Sequence, residues 1–251
     1  MEFPVIIASI LLFFVGILAA FLNVTAGGGS SITLPVLIFL GVDPSVANGT
    51  NRLAILLQNA SASASFRNEK VFQTKETVIY ALLTIPGSIL GAFYATSISD
   101  ELFKKALAVV MLGVIISLLI PKSKKLIEPG SNNRLSWLMY PGFVILGLYG
   151  GFIQVGIGIL IMALIQRLQY YNLVITNMHK TFIVMTLNIP ALLIFIYTGN
   201  MIWTLGIALA AGTTTGAWWA AKLSVKKGEK FIKTILVIAL FVISVKLLGI
   251  F

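Results

Sequence analysis

Three ionisable side chains, Arg52, His179 and Lys180, stand inside long apolar stretches of the sequence. A charged residue at the centre of a membrane helix costs about 2.5 to 3.5 kcal/mol on insertion scales, so a residue of this kind usually serves a function. Arg52 follows Pro44 by eight residues, and Lys180 follows Asn172 by eight residues. Each cation therefore lies about 12 Å along its predicted helix, close to the membrane midplane.

These cations have no acidic counterpart. The eight Asp and Glu residues lie at the chain ends or in predicted loops, and Asp43 precedes Pro44 in the position of a helix cap. A cation site would need buried carboxylates, so the sequence predicts an anion site. Two other interpretations stay open: Arg52 and Lys180 extend to an interface or bind structural carbonyls, and His179 is a packed side chain, a ligand or a proton carrier.

Two glycine clusters predict helices that are broken within the membrane. Gly27-Gly28-Gly29 precedes one short apolar stretch, and Gly156-Ile157-Gly158 precedes another. A helix that begins inside the membrane presents free N–H groups and the positive end of its dipole, which favour an anion. Close packing through small residues is the alternative. The predicted substrate-binding residues are Asn23, Gly27, Gly28, Gly29, Ser30, Asn48, Asn51, Arg52, Gln154, Gly156, Gly158, Asn177, His179 and Lys180.

The elements that must position these residues are membrane helices. The chain has 251 residues, of which 58% are hydrophobic and 10% are charged, whereas soluble domains carry about 25% charged residues. This composition excludes a soluble enzyme and predicts an all-α polytopic membrane protein. Apolar stretches of spanning length cover residues 3–22, 46–66, 77–97, 103–120, 137–154, 173–197, 201–221 and 231–251, and shorter ones cover 32–42 and 159–168.

The two halves of the sequence repeat one pattern. Gly28 and Gly156 are 128 residues apart, and so are Arg52 and Lys180. This spacing predicts a first repeat at residues 1–121, a basic loop at 122–136 and a second repeat at 137–251. Each repeat contains about five helices, including one short helix that follows a glycine break.

Small-residue spacings recur within both repeats. The pairs Gly87 with Gly91 and Gly212 with Gly216 have the GxxxG spacing, which predicts close helix contacts.

Basic loops favour repeats that are inverted with respect to each other. Three cations lie in residues 67–75, four in 122–134 and five in 222–233. With five crossings in each repeat, all three loops and Arg167 fall on one side, as the positive-inside rule requires. The same arrangement places both termini outside the cytoplasmic membrane.

Several function classes lack the residues that they need. The chain has no cysteine and one histidine, so we expect no enzyme activity, no bound metal and no cofactor. The sequence contains no phosphate-binding loop of the G-x-x-x-x-G-K-[ST] type. The net charge of +10 reports loop orientation, and we expect no nucleic-acid partner.

The chain resembles the sulfite exporter TauE/SafE family of membrane proteins. The resemblance is carried by Asn23-Val24-Thr25-Ala26-Gly27-Gly28-Gly29-Ser30, by Gly41-Val42-Asp43-Pro44 and by Ala47-Asn48-Gly49-Thr50-Asn51-Arg52. It implies a secondary transporter that exports small sulfur-containing anions such as sulfite or organosulfonates. The second half departs from the first, because His179 and Lys180 stand where the first half has Asn51 and Arg52.

The expected function is therefore transport of a small anion through a central cationic site. The other candidates are a passive anion channel, a carrier of another organic anion, and a membrane assembly subunit without flux. The expected partners are the anion, the lipid bilayer, a coupling proton or counter-ion, and a second copy of the chain in a homo-oligomer.

Inversion of the repeats can be tested by labelling, because the chain has no native cysteine. We expect single cysteines introduced by Lys70→Cys and Lys227→Cys to react with a membrane-impermeant maleimide from the same side of the membrane. Labelling from opposite sides would show that the repeats are parallel.

Overall fold

The computed structural model describes residues 4–71, 75–119, 139–169 and 173–247. Over these residues the chain forms nine helices and no strands, which confirms the predicted all-α fold class. The predicted basic loop at 122–136 lies outside the described residues. The helices are α1 (Val5–Ala26), α2 (Ser30–Phe39), α3 (Pro44–Asn68), α4 (Lys75–Ser97), α5 (Asp100–Leu119), α6 (Met139–Phe152), α7 (Ile157–Gln169), α8 (Leu173–Tyr197) and α9 (Trp203–Leu247).

The helices occur in the same order in the two halves. Gly228 has non-helical backbone angles (φ 66°, ψ −160°) and divides α9 into the segments 203–227 and 229–247. Each half therefore contributes five helical segments, of which the second is short and the third has 25 residues. The domain boundaries, the inversion and the side of the termini stay predictions.

The distribution of polar and apolar residues is that of a membrane protein. Three described helices are long and apolar enough to cross a membrane: Val5–Thr25, Lys75–Ser97 and Leu173–Tyr197. Large apolar side chains such as Leu18 and Leu90 are exposed, while polar side chains along α3 and α8 are buried. A lipid environment stabilises this arrangement, because lipid surrounds the apolar exterior and the interior holds the polar groups.

Helices pack chiefly against helices of the other half. In the first half, α1 and α3 both pack along α9, whereas α4 packs along α6 and α8 of the second half. We call α1, α3 and segment 203–227 the first bundle, and α4, α6 and α8 the second bundle. The two bundles meet where α3 packs against α8. Each bundle therefore contains helices from both halves.

The GxxxG spacings are confirmed as close helix contacts. In the second half, a Cβ atom on Gly212 would collide with the Phe13 carbonyl oxygen of α1. In the first half, a Cβ atom on Gly87 would collide with the Val144 carbonyl oxygen of α6. The missing side chains let the two backbones touch, which is how small residues hold helices together in lipid.

The cap of α3 differs from the sequence-based expectation. Asp43 occupies the capping position, but its side chain makes no capping hydrogen bond. The N–H of Ser45 donates to Asp100 Oδ1 at 3.3 Å, and the Ser45 hydroxyl donates to the same oxygen. The carboxylate at the start of α5 thus supplies the acceptor, because the α5 N-terminus lies beside that of α3.

Replacing Gly212 should weaken the fold. We expect Gly212→Ala to lower the free energy of unfolding by about 1 to 3 kcal/mol, because its new methyl group overpacks the α1 contact. The measurement is thermal unfolding of the detergent-solubilised protein followed by circular dichroism. The matched control is Gly113→Ala, since a Cβ atom there meets nothing within 4 Å; equal stability of both variants would contradict the proposed contact.

Candidate functional site

Both predicted intramembrane cations are buried completely. Arg52 lies on α3 and is 0% exposed, and Lys180 lies on α8 and is 1% exposed. These two helices occupy matched positions in the two halves and pack against each other. The structure therefore holds both cations at the contact between the two bundles.

Arg52 caps the C-terminus of α6. Its guanidinium Nη1 donates to the Gly150 carbonyl oxygen at 3.1 Å, and Nη2 donates to the Gly151 carbonyl oxygen and, at 3.4 Å, to that of Phe152. The last carbonyls of a helix have no partner within the helix. Because α6 ends inside the protein, the arginine replaces the water that would otherwise bind them.

Other contacts fix the guanidinium in place. Nη1 also lies 3.5 Å from Asn188 Oδ1, and the guanidinium carbon lies 4.6 Å from the centre of the Phe195 ring. Both neighbours belong to α8. The ring face is electronegative and attracts the cation without neutralising it.

Lys180 caps the C-terminus of α1 in the corresponding way. Its Nζ donates to the carbonyl oxygens of Asn23 at 2.6 Å and Val24 at 2.7 Å, and to Asn177 Oδ1 at 3.1 Å. An ammonium group has three N–H donors, so all of its donors are used. Each half thus provides the cation that caps the first helix of the other half.

Pairing with structural carbonyls, one of the interpretations left open by the sequence, is therefore observed for both cations. A helix C-terminus carries about half a negative charge, so each cation keeps part of its positive charge. No Asp or Glu is buried among the described residues for which burial is defined. The interior of this region has a net positive charge.

The two glycine clusters meet each other. A Cβ atom on Gly27 would lie 2.5 Å from the Gly158 carbonyl carbon, and one on Gly158 would lie 3.1 Å from Lys180 Cδ. Gly27 has a φ of 81° and ends α1, and Gly156 has a φ of 73° just before α7. The starts of α2 and α7 therefore lie at one junction, with Lys180 beside it. We call this contact the glycine junction.

Amide side chains surround the capped end of α6. Asn48 Nδ2 donates to the Phe152 carbonyl oxygen at 2.9 Å, and Asn51 Oδ1 accepts a hydrogen bond from the Thr33 hydroxyl at 2.8 Å. Gln154 follows the capped carbonyls and is 1% exposed. These residues were predicted from the sequence, except Thr33.

The remaining predicted site residues lie around the junction in different ways. Asn177 Nδ2 donates to the Thr25 carbonyl oxygen at 3.5 Å, and Gly29 packs against α1 near Ala19. His179 faces α4, where its Nδ1 is hydrogen-bonded to the Thr77 hydroxyl. Ser30, at the start of α2, is buried, and Gly28 is half-buried.

Sequence reasoning missed several groups that hold the cations and the residues beside them. Asn188 and Thr33 are polar residues within apolar helices, and this signal could have identified them. Thr77 stands at a predicted span end and gave no such signal. The backbone carbonyls of residues 150–152 have no side-chain signature at all.

Comparison with known proteins gives a consistent result. Residues 12–247 match the family described as sulfite exporter TauE/SafE. A Haemophilus influenzae protein named "probable membrane transporter protein" is 31% identical over 239 residues, which cover 94% of this chain and 93% of that protein. "Probable membrane transporter protein YfcA" of Escherichia coli K12 is 31% identical over 238 residues, covering 94% of this chain and 88% of that protein.

A more distant relative also spans the full length. "Probable membrane transporter protein YunE" of Bacillus subtilis is 23% identical over an alignment of 269 residues, gaps included, which covers 96% of this chain and 98% of that protein. No solved structure matches the chain.

The glycine junction can be tested by comparing substitutions at Gly27, which lies in the junction, and at the adjacent Gly28. We expect Gly27→Ala to lower the unfolding temperature by several degrees, since a left-handed φ disfavours an L side chain by about 1 to 2 kcal/mol and its methyl group would press on Gly158. Gly28→Ala should leave the unfolding temperature almost unchanged, because the nearest atom lies 3.7 Å from its Cβ position. Tryptophan fluorescence during heating measures both, and equal effects would contradict the junction.

Proposed function

Because the chain belongs to the sulfite exporter TauE/SafE family, we propose that it is a secondary transporter that exports small sulfur-containing anions, such as sulfite or organosulfonates, across the cytoplasmic membrane. The family membership and the apolar helices identify a membrane transporter. The names of the relatives give no substrate, so the substrate and the direction of transport are what we propose here.

The positive charge of Arg52 and Lys180, near the contact of α3 with α8, carries this proposal. Arg52 and Lys180 are both fully buried, and the buried polar residues around them are amides and hydroxyl groups. Two short helices begin at the same place, and the N-terminus of each adds a partial positive charge. The two cations outweigh the partial negative charge of the α1 and α6 C-termini, so an anion entering this region would meet a net positive charge. A metal cation would find no buried carboxylate ligand among the residues that the structure describes.

The packing of the helices suggests how access alternates. The first and second bundles each contain helices of both halves. Each cation also caps a helix of the opposite bundle: Arg52 of the first bundle binds the end of α6, and Lys180 of the second bundle binds the end of α1. In this proposal the bundles rock about the α3–α8 contact. The moving bodies are then the two mixed bundles, in place of the two sequence halves.

The proposal includes a site for ion coupling. His179 lies next to Lys180 and is hydrogen-bonded to Thr77. Histidine is the side chain whose ordinary titration falls nearest to physiological pH, so it is the group that would carry a coupled proton.

Removing either cation should impair transport. In proteoliposomes that contain sulfite, we expect Arg52→Ala and Lys180→Ala each to reduce flux at least about tenfold, because each removes a positive charge that attracts the anion by about 2 to 4 kcal/mol at about 4 to 8 Å, for an effective dielectric constant of about 20. The matched control is Lys105→Ala, which removes an equal charge from a side chain that is 70% exposed. Flux of both variants at the wild-type rate would contradict the proposed role of the charge.

Folding must be separated from transport in this experiment, since both cations also cap helices. Variants are compared only where gel filtration in detergent shows the wild-type elution profile. Arg52→Lys keeps the charge and removes the guanidinium geometry, so we expect it to retain more flux than Arg52→Ala. Counterflow of labelled substrate distinguishes a carrier from a channel, because a passive channel produces no counterflow.

A further inference from the structure

Buried polar atoms without a protein partner are concentrated near the capped end of α6. Among the described residues, these atoms include Arg52 Nε, Asn51 Nδ2, Asn48 Oδ1, and both the Oε1 and Nε2 of Gln154. Each of these residues is at most 1% exposed. Buried polar atoms in proteins are almost always hydrogen-bonded, so a group of unpaired ones needs an explanation.

These atoms belong to one neighbourhood. Asn48 and Arg52 are one helical turn apart on α3, and both donate to the Phe152 carbonyl oxygen. Asn51 follows Asn48 by three residues on α3, which makes the two side chains neighbours on the helix surface. Gln154 follows Phe152 by two residues, so the two Cα atoms are within about 8 Å of each other.

The second-half groups that correspond to Arg52 and Asn51 are already paired. Lys180 uses its three donors on α1 and Asn177. His179, which corresponds to Asn51, is bonded to Thr77, and the neighbouring Asn177 contacts Thr25. The unpaired groups therefore make the site one-sided, with its ligand-binding atoms beside Arg52.

The unpaired atoms are a mixture of donors and acceptors. Arg52 Nε and Asn51 Nδ2 are donors that suit an anionic oxygen. Asn48 Oδ1 is an acceptor, since the Nδ2 of the same amide is fixed on Phe152. Gln154 presents one donor and one acceptor, whichever way its amide is turned.

An anion that has only acceptor atoms would leave the two amide oxygens unpaired. We propose that the transported anion carries a hydrogen-bond donor beside its charged group, and that Gln154 and Asn48 recognise this donor. Hydrogen sulfite and sulfonates with a hydroxyl or amino group belong to this class, whereas sulfate and unsubstituted alkanesulfonates do not. This inference rests on the proposed function, since it names the substrate class of the same site.

Two sulfonates that differ by one hydroxyl group test the inference. Competition for sulfite flux in proteoliposomes is measured with ethanesulfonate and with 2-hydroxyethanesulfonate. We expect the hydroxylated anion to compete at least about tenfold better, because a site with buried polar groups rejects an analogue that leaves them unpaired. Competition by both sulfonates at equal concentration would overturn the inference and leave the proposed function intact.

Substitution of Gln154 tests whether this residue recognises the hydrogen-bond donor of the anion. We expect Gln154→Leu to remove most of the preference for the hydroxylated sulfonate while retaining competition by ethanesulfonate. The matched control is Gln58→Leu, because Gln58 is a glutamine on α3 with the same 1% exposure, also has an unpaired Nε2, and lies about 9 Å along the helix from Arg52. A preference that survives in Gln154→Leu would overturn the assignment to Gln154.

A second pair of anions separates this inference from the proposed function. Lactate and propionate also differ by one hydroxyl group and are tested by direct uptake. Uptake of lactate in preference to propionate, without flux of any sulfur anion, would overturn the proposed substrate and support the donor requirement. Absence of flux for every anion would overturn both the proposed function and this inference. The competition experiment uses the wild-type protein, so it remains a test even if Gln154→Leu fails to fold.

Discussion

A helix that ends inside a membrane leaves carbonyl oxygens that water cannot reach, and this constraint determines the centre of the structure. The chain breaks α1 and α6 within the protein so that α2 and α7 can begin there. Both broken ends are held by cations from α8 and α3. Without these caps the unpaired carbonyls would be strongly unfavourable in a non-aqueous interior.

The same caps shape the electrostatics. A helix C-terminus offsets only about half a unit of charge, so capping keeps two cations in the interior at a tolerable cost and leaves a net positive region. Arginine and lysine do this differently, because a guanidinium has five N–H donors and an ammonium has three. Arg52 caps α6 and retains a free Nε, whereas Lys180 is fully used. In the proposed transporter, the two corresponding caps would thereby give an asymmetric binding site.

The sequence was sufficient to predict the helices and the residues that gather at the centre. Arg52 and Lys180 could be identified because charge within an apolar stretch is rare, and the glycine clusters because a chain break needs a flexible backbone. The partners of the cations could not be predicted, since backbone carbonyls have no residue-type signal. The packing of α1 along α9 could not be predicted either. When two halves have similar sequence patterns, a helix could pack against a partner in its own half or in the other half, and the sequence does not distinguish these two arrangements.

The exchange of helices between the bundles constrains the order of events during synthesis. Arg52 emerges from the ribosome 100 residues before Phe152, about 5 to 20 s at ordinary elongation rates. Throughout that interval its carbonyl partners do not exist, and α1 waits even longer for α9. The first five helices therefore lack their most extensive native contacts, those with α6, α8 and α9, until the second half has been made. Most of the helix pairing in this protein can therefore form only after the second half has been translated.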